Sequence, residues 1–208
     1  MSSWGELLSE KRRAIGEVAS VEGGKIEIFV YPEFYPRVHI GSVLIVDSEE
    51  TKPIGLALKL AHSARHGQMV PLHRTRSEIS DMYPDIEKYH RFVSTMAYTS
   101  HLRGDEIIHV RSSMPKLHDL VFLVDSKSLL VRFFKPKDIW DFSFMRYYVA
   151  EGASYLELRE FFYHHREFFS DFLSEKDEIV SRVVYALIKS GIRDIAGFLE
   201  DINEVLGW

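Results

Sequence analysis

Cysteine is missing altogether from this 208-residue chain. Its absence excludes disulfides, thiolate catalysis and cysteine-ligated zinc or iron–sulfur sites, and fits a cytoplasmic protein. No run approaches the ~20 apolar residues of a membrane span, and the opening MSSWGELLSEKRRAIG lacks the apolar stretch of a secretion signal. A cytoplasmic location without a membrane partner is therefore expected. Neither G-x-x-x-x-G-K-[ST] nor G-x-G-x-x-G occurs, which excludes nucleotide hydrolysis by a P-loop mechanism within this chain. HExxH is absent too. His164 and His165 are neighbours in sequence, about 100° apart around a helix, whereas zinc-binding helices place their histidines at i, i+4. Core packing for one histidine and solvent for the other is the expected arrangement. No catalytic residue, metal or cofactor is expected.

What is present describes a folded chain. Hydrophobic residues make up 46% and charged residues 27%, which excludes a disordered tail and allows a sizeable core. The net charge of −5 is unevenly spread. Residues 151–208 hold twelve acids against six Lys and Arg, a net of −6, which leaves 1–150 at about +1. Between Lys52 and His118 lie ten Lys and Arg, six acids and seven of the ten histidines, so this part can face something anionic.

Hydrophobic periodicity divides the chain in two. After a short helix capped by Ser3, with Trp4, Leu7 and Leu8 on one side, alternation sets in at "IGEVASV". "EGG" then turns the chain into "KIEIFVY", which makes a hairpin. Pro32 and Pro36 bracket an aromatic loop, and "RVHIGSVLIVD" and "KPIGLALKLAH" follow as two longer strands. Residues 64–105 are polar and lack alternation; they are expected to form an excursion between strands, with a short helix over Asp85 to Ala97. Strands are expected again at Asp105 to Ser112, Leu117 to Asp125 and Leu129 to Phe134.

From Pro136 the period becomes helical, with one helix to Gly152, capping boxes at Ser154/Glu157 and Ser174/Asp177, and a last helix over Ile192 to Leu206. The expected fold class is α+β: a small antiparallel β-barrel over 1–135, interrupted at about 64–105, followed by a helical domain over 136–208. The bends that close such a barrel suit Gly16, Gly41 and Gly55.

Four side-chain sets are candidate sites. Arg65, His66, Arg74 and Arg76 are the candidate nucleic-acid contacts, a basic cluster without interleaved aromatics. Phe34, Tyr35, Arg37 and His39, on the proline-bracketed loop, are the candidate partner-binding residues. Asp81, Asp85 and Glu87, near Tyr83 and His90, resemble a loose metal–carboxylate set of the kind a nuclease uses. The aromatic run from Trp140 to Phe172 exceeds what one helix face needs, so it serves a core, an oligomer contact, or both.

One family resemblance runs through these strands. Gly16-Glu17-Val18, the "IGS" of Ile40 to Ser42, the "IG" of Ile54-Gly55 and "MPKLHDLVFLV" (Met114 to Val124) resemble the HAS-barrel, the N-terminal barrel shared by archaeal HerA-type DNA translocases and rotary ATP synthase catalytic subunits. The resemblance covers roughly 14–66 and 105–134. In HerA-type proteins a RecA-like ATPase follows the barrel, whereas here 136–208 is helical and too short for one. No catalytic residue carries over. What the resemblance implies is an assembly role: a non-catalytic adaptor in a DNA-processing complex, docked on a HerA-like ATPase or a NurA-like nuclease, or associated with itself. Direct nucleic-acid binding by the barrel and a metal-dependent nuclease are the alternatives.

Overall fold

The computed structural model describes residues 3–49, 51–64, 76–82 and 90–208, about 42% helical and 28% strand. The chain opens with α1 (Trp4–Ser9), where Ser3 and Glu6 complete a capping box and Trp4, Leu7 and Leu8 are buried. Then come β1 (Gly16–Glu22), β2 (Lys25–Val30), β3 (Val43–Asp47), β4 (Lys52–Ala64), α2 (Arg76–Met82), β5 (His90–Arg103), β6 (Glu106–Ile108) and β7 (Leu120–Leu123). The helices α3 (Lys127–Phe134), α4 (Met145–Ala150), α5 (Tyr155–His164), α6 (Arg166–Ser170), α7 (Lys176–Lys189) and α8 (Ile195–Leu206) complete it.

Six antiparallel strands close into a barrel in the order β1-β2-β5-β4-β3-β7, with β7 returning to β1 and β6 adding to the far part of β5. Alternation distributes the apolar side chains to both faces. Val18, Ile26, Ile28, Leu44, Val46, Ala57, Met96, Tyr98 and Val121 form one cluster with contributions from all six strands, which is the barrel interior. Their neighbours Val43, Ile45, Ile54, Leu56, Leu58 and Phe122 join a second cluster, with the helices, on the outside. The strands β3, β4 and β7 are therefore apolar on both faces. The second cluster is continuous across position 135.

Gly16 and Gly55 stand where backbones approach too closely for a side chain. A Cβ would lie 2.1 Å from the Phe29 carbonyl oxygen at Gly16 and 2.1 Å from that of Ala97 at Gly55. The barrel thus closes at two of the glycines that the sequence marks for bends.

Several expected elements differ. Asp85 to Ala97 is not a helix where it is described: from His90 it is β5, the longest strand, hydrogen-bonded to β2 on one side and β4 on the other. It lacks alternation because both of its faces are covered. Leu129 to Phe134 is not a strand but most of α3, whose Ser126 cap accepts the Leu129 amide; Leu129, Leu130, Phe133 and Phe134 share the buried side. The long helix from Pro136 shrinks to α4, because Lys137 and Asp138 adopt left-handed φ values of 59° and 60°. The Ser154 capping box forms, whereas that at Ser174 does not. Glu175 precedes α7 instead, and its carboxylate accepts from Lys135 Nζ at 2.6 Å and Trp140 Nε1 at 2.7 Å.

The aromatic run is mostly core. Trp140, Phe142, Phe144, Tyr148, Phe161, Phe162 and Phe169 are at most 1% exposed, and Phe134 lies against seven other rings. Among the described residues no helix is long and apolar enough to cross a membrane.

Candidate interface at the barrel end

The proline-bracketed loop between β2 and β3 is a stack of tight turns. Phe34 donates its amide to Tyr31, Arg37 to Phe34 and Val38 to Tyr35, with Pro36 inside the 3-10 turn Tyr35–Arg37. Val38 is 2% exposed, and Phe34 and Tyr35 pack against the barrel-interior cluster. The loop therefore plugs one end of the barrel with three apolar side chains and presents Arg37 and His39 outward. Of the four candidate partner-binding residues, these two are exposed and the aromatic pair is half-buried.

The same end carries the tips of β4 and β5, paired out to Ala64 and His90. Tyr35 lies 4.4 Å from Phe92, which stacks on His62 at 4.2 Å; His90 meets His62 at 4.8 Å. Beside them Arg91 sits 4.4 Å over the Phe29 ring. Arg91 and Phe29 share the outer face of the sheet, whereas the stacked rings share the other, in a set that the linear sequence conceals because 27 residues separate Tyr35 from His62 and 28 separate His62 from His90. Arg65, His66 and Arg74 lie outside the described residues, as do Tyr83, Asp85 and Glu87; Arg76 opens α2, on which Asp81 is exposed. Among the described residues no group of three metal-ligating side chains comes together.

Toward the helices the loop borders a cleft of about 560 Å³, lined by Arg37, His39, Asp125, Lys127, His164 and Glu167 among others. Arg37 bonds Asp125 at 2.6 Å, and Lys127 bonds Asp171 at 2.6 Å. Both pairs are largely exposed, so they orient side chains more than they stabilise the fold. Asp125, Lys127 and Asp171 had no local signal in the sequence, since 88 residues separate Arg37 from its partner.

The "IGS" step fastens this cleft. Gly41 donates its amide to the Ala57 carbonyl at 2.8 Å, and Tyr148 donates its hydroxyl to the same oxygen at 3.1 Å. The Gly41 carbonyl lies 3.0 Å from His165 Nε2, a bond that requires the proton on that nitrogen. Ser42 Oγ accepts the His39 amide at 2.9 Å and lies 3.3 Å from His164 Nε2. A serine beside a histidine suggests a nucleophile, but Ser42 is fully buried and its oxygen already holds the loop, so the pair is a lock.

Burial holds both histidines neutral. His165 is pushed down to about 3, chiefly by burial and secondly by His164. His164 is pushed down to about 4 by burial, then by His39 and Arg166. In the unfolded chain each recovers an ordinary value near 6.5, so below that pH the unfolded state takes up more protons and stability falls with pH. At pH 5, His165 alone removes about 2 kcal/mol relative to pH 7. Thermal melts are expected to shift down several degrees over that interval, and a His165→Gln variant, although less stable at pH 7, to shift less. Equal shifts in both proteins would show that His165 is not the titrating group.

No protein-family model matches the chain, and no curated protein does.

Proposed function

We propose that the protein is a non-catalytic adaptor that docks through the barrel-end loop onto the machinery of a DNA-processing complex of the HerA–NurA kind. The observation that carries this reading is the loop itself: a plug of Phe34, Tyr35 and Val38 fixes it, while Arg37 and His39 face solvent at the rim of a 560 Å³ cleft. Rigid presentation of a few polar groups beside a concavity suits protein docking, because little conformational freedom is lost on binding. The HAS-barrel resemblance supplies the class of partner. Gly16 and Gly55, two of the residues that carry that resemblance, sit where this closed barrel tolerates no side chain.

Size-exclusion chromatography and titration calorimetry with purified HerA-type ATPase and NurA-type nuclease test it. One of the two is expected to form a complex, weakened about tenfold or more by Arg37→Glu with His39→Glu. Both side chains are exposed, so folding is retained, whereas truncating Phe34 or Tyr35 would unplug the barrel. Failure of the wild-type chain to bind either partner would reject the reading.

The stacked set Tyr35, Phe92, His62 and His90 favours a second reading: single-stranded nucleic acid held by base stacking. Steep salt dependence of anisotropy with a labelled oligonucleotide, lost in His62→Glu, supports it; no binding at low salt dismisses it.

A further inference from the structure

A second cleft, of about 800 Å³, shares no residue with the first. It opens between α7 and the segment that follows the left-handed pair Lys137 and Asp138. On α7, Arg182, Tyr185 and Lys189 are spaced i, i+3, i+7 and share one face; Arg146 joins them from α4. Tyr185 is 64% exposed and Ile139 52%, both lining the cleft.

The charges here run against the rest of the chain. Residues 151–208 carry a net of −6, yet this cleft is lined by four cations and two acids. Of the acids, Glu106 is held by Lys137 at 2.5 Å and Asp141 accepts the Ser143 amide at 2.8 Å. Arg182 lies 4.0 Å from Glu178 on the exposed side of α7. Arg146 and Lys189 have no carboxylate partner among the described residues.

Two further features mark the cleft as a built site. Consecutive non-glycine residues in left-handed conformation at its rim persist only where the surroundings enforce them, and such strain concentrates at ligand sites. At its wall His109, 6% exposed, lies between the Phe133 and Phe144 rings with Nδ1 2.7 Å from Ser100 Oγ. Burial pushes this imidazole down to about 4, so it is a neutral polar group in the wall at pH 7.

We propose that this cleft binds a phosphorylated small molecule of nucleotide size, its phosphates held by Arg146, Arg182 and Lys189 and its ring laid against Tyr185 and Ile139. Three cations suit a group of charge −2 better than a single carboxylate, and guanidinium forks match phosphate oxygens. The volume lies within the range of small-molecule sites, and the exposed tyrosine offers a flat apolar surface. The proposal stands apart from the adaptor reading, since no residue is shared.

Titration calorimetry of the full chain at low salt, with ADP, AMP and inorganic phosphate as probes, tests it. ADP and AMP are expected to bind with Kd below about 1 mM, with inorganic phosphate at least about tenfold weaker because it lacks the ring. Arg182→Glu with Lys189→Glu, both exposed, is expected to weaken ADP about tenfold or more without changing the melting temperature. No heat from any probe, phosphate as tight as ADP, or undiminished ADP binding in the double variant would each overturn the proposal.

Discussion

Gly41→Ala is expected to destabilise the fold by about 3 kcal/mol or more, shifting the melting temperature by roughly 6–12 °C. Two effects add. Gly41 has φ +84°, a conformation that an alanine adopts only under strain of about 1 kcal/mol or more. Its Cβ would also lie 2.6 Å from the Cα of Phe161, a backbone atom of α5 that cannot turn aside. The helix must retreat, which opens the contact of Phe161 with Phe134 and Phe144 and lengthens the bond from His165 to the Gly41 carbonyl. Gly191→Ala is the control, with φ +82° and nothing within 4 Å of its Cβ, so only the conformational strain remains. Urea unfolding of the two variants separates the effects. Equal losses would mean that α5 yields freely and that the close approach is unimportant.

This glycine also shows how much of the molecule could be read from its sequence. The β1–β2 hairpin, the Ser3 cap, the Ser154 capping box and β4 have local signals and form where those signals lie, whereas the strand expected from Arg37 begins only at Val43, because the residues before it make the turns of the plug. What escaped are segments whose environment is set by distant chain. β5 reads as polar and irregular because the barrel interior covers one face and the neighbouring layer much of the other, which erases period-two alternation. The "LLVRFF" segment satisfies both a strand and a helix pattern, and its choice depends on the Ser126 cap and on the aromatic cluster beneath it. For the candidate interface, the proline-bracketed loop was legible, whereas its ion partner Asp125 and the Tyr35–Phe92–His62 stack exist only once the barrel closes.

Truncation after residue 135 is expected to have the larger effect, leaving a fragment that aggregates or binds hydrophobic dyes. Val43, Ile45, Ile54, Leu56, Leu58 and Phe122, on the outer face of the barrel, belong to one cluster with Leu158, Phe161, Phe169 and Ile179 of the helices. All six are at most 1% exposed in the whole chain. Removing their cover forfeits on the order of 1.5–3 kcal/mol each, a sum comparable to the entire stability of an ordinary domain. The helix α3 remains attached in the fragment, but Phe133 and Phe134 lose Phe144, Phe161 and Phe169, so it adds apolar surface instead of covering it. Size-exclusion chromatography, circular dichroism and dye binding on residues 1–135 and on the full chain give the comparison. A soluble fragment with a cooperative melt would show that the barrel folds alone and that the helices are an appendage. Aggregation would mean that barrel and helices are one folding unit, so that any partner seated on the loop also reads the position of α5 through Gly41 and His165.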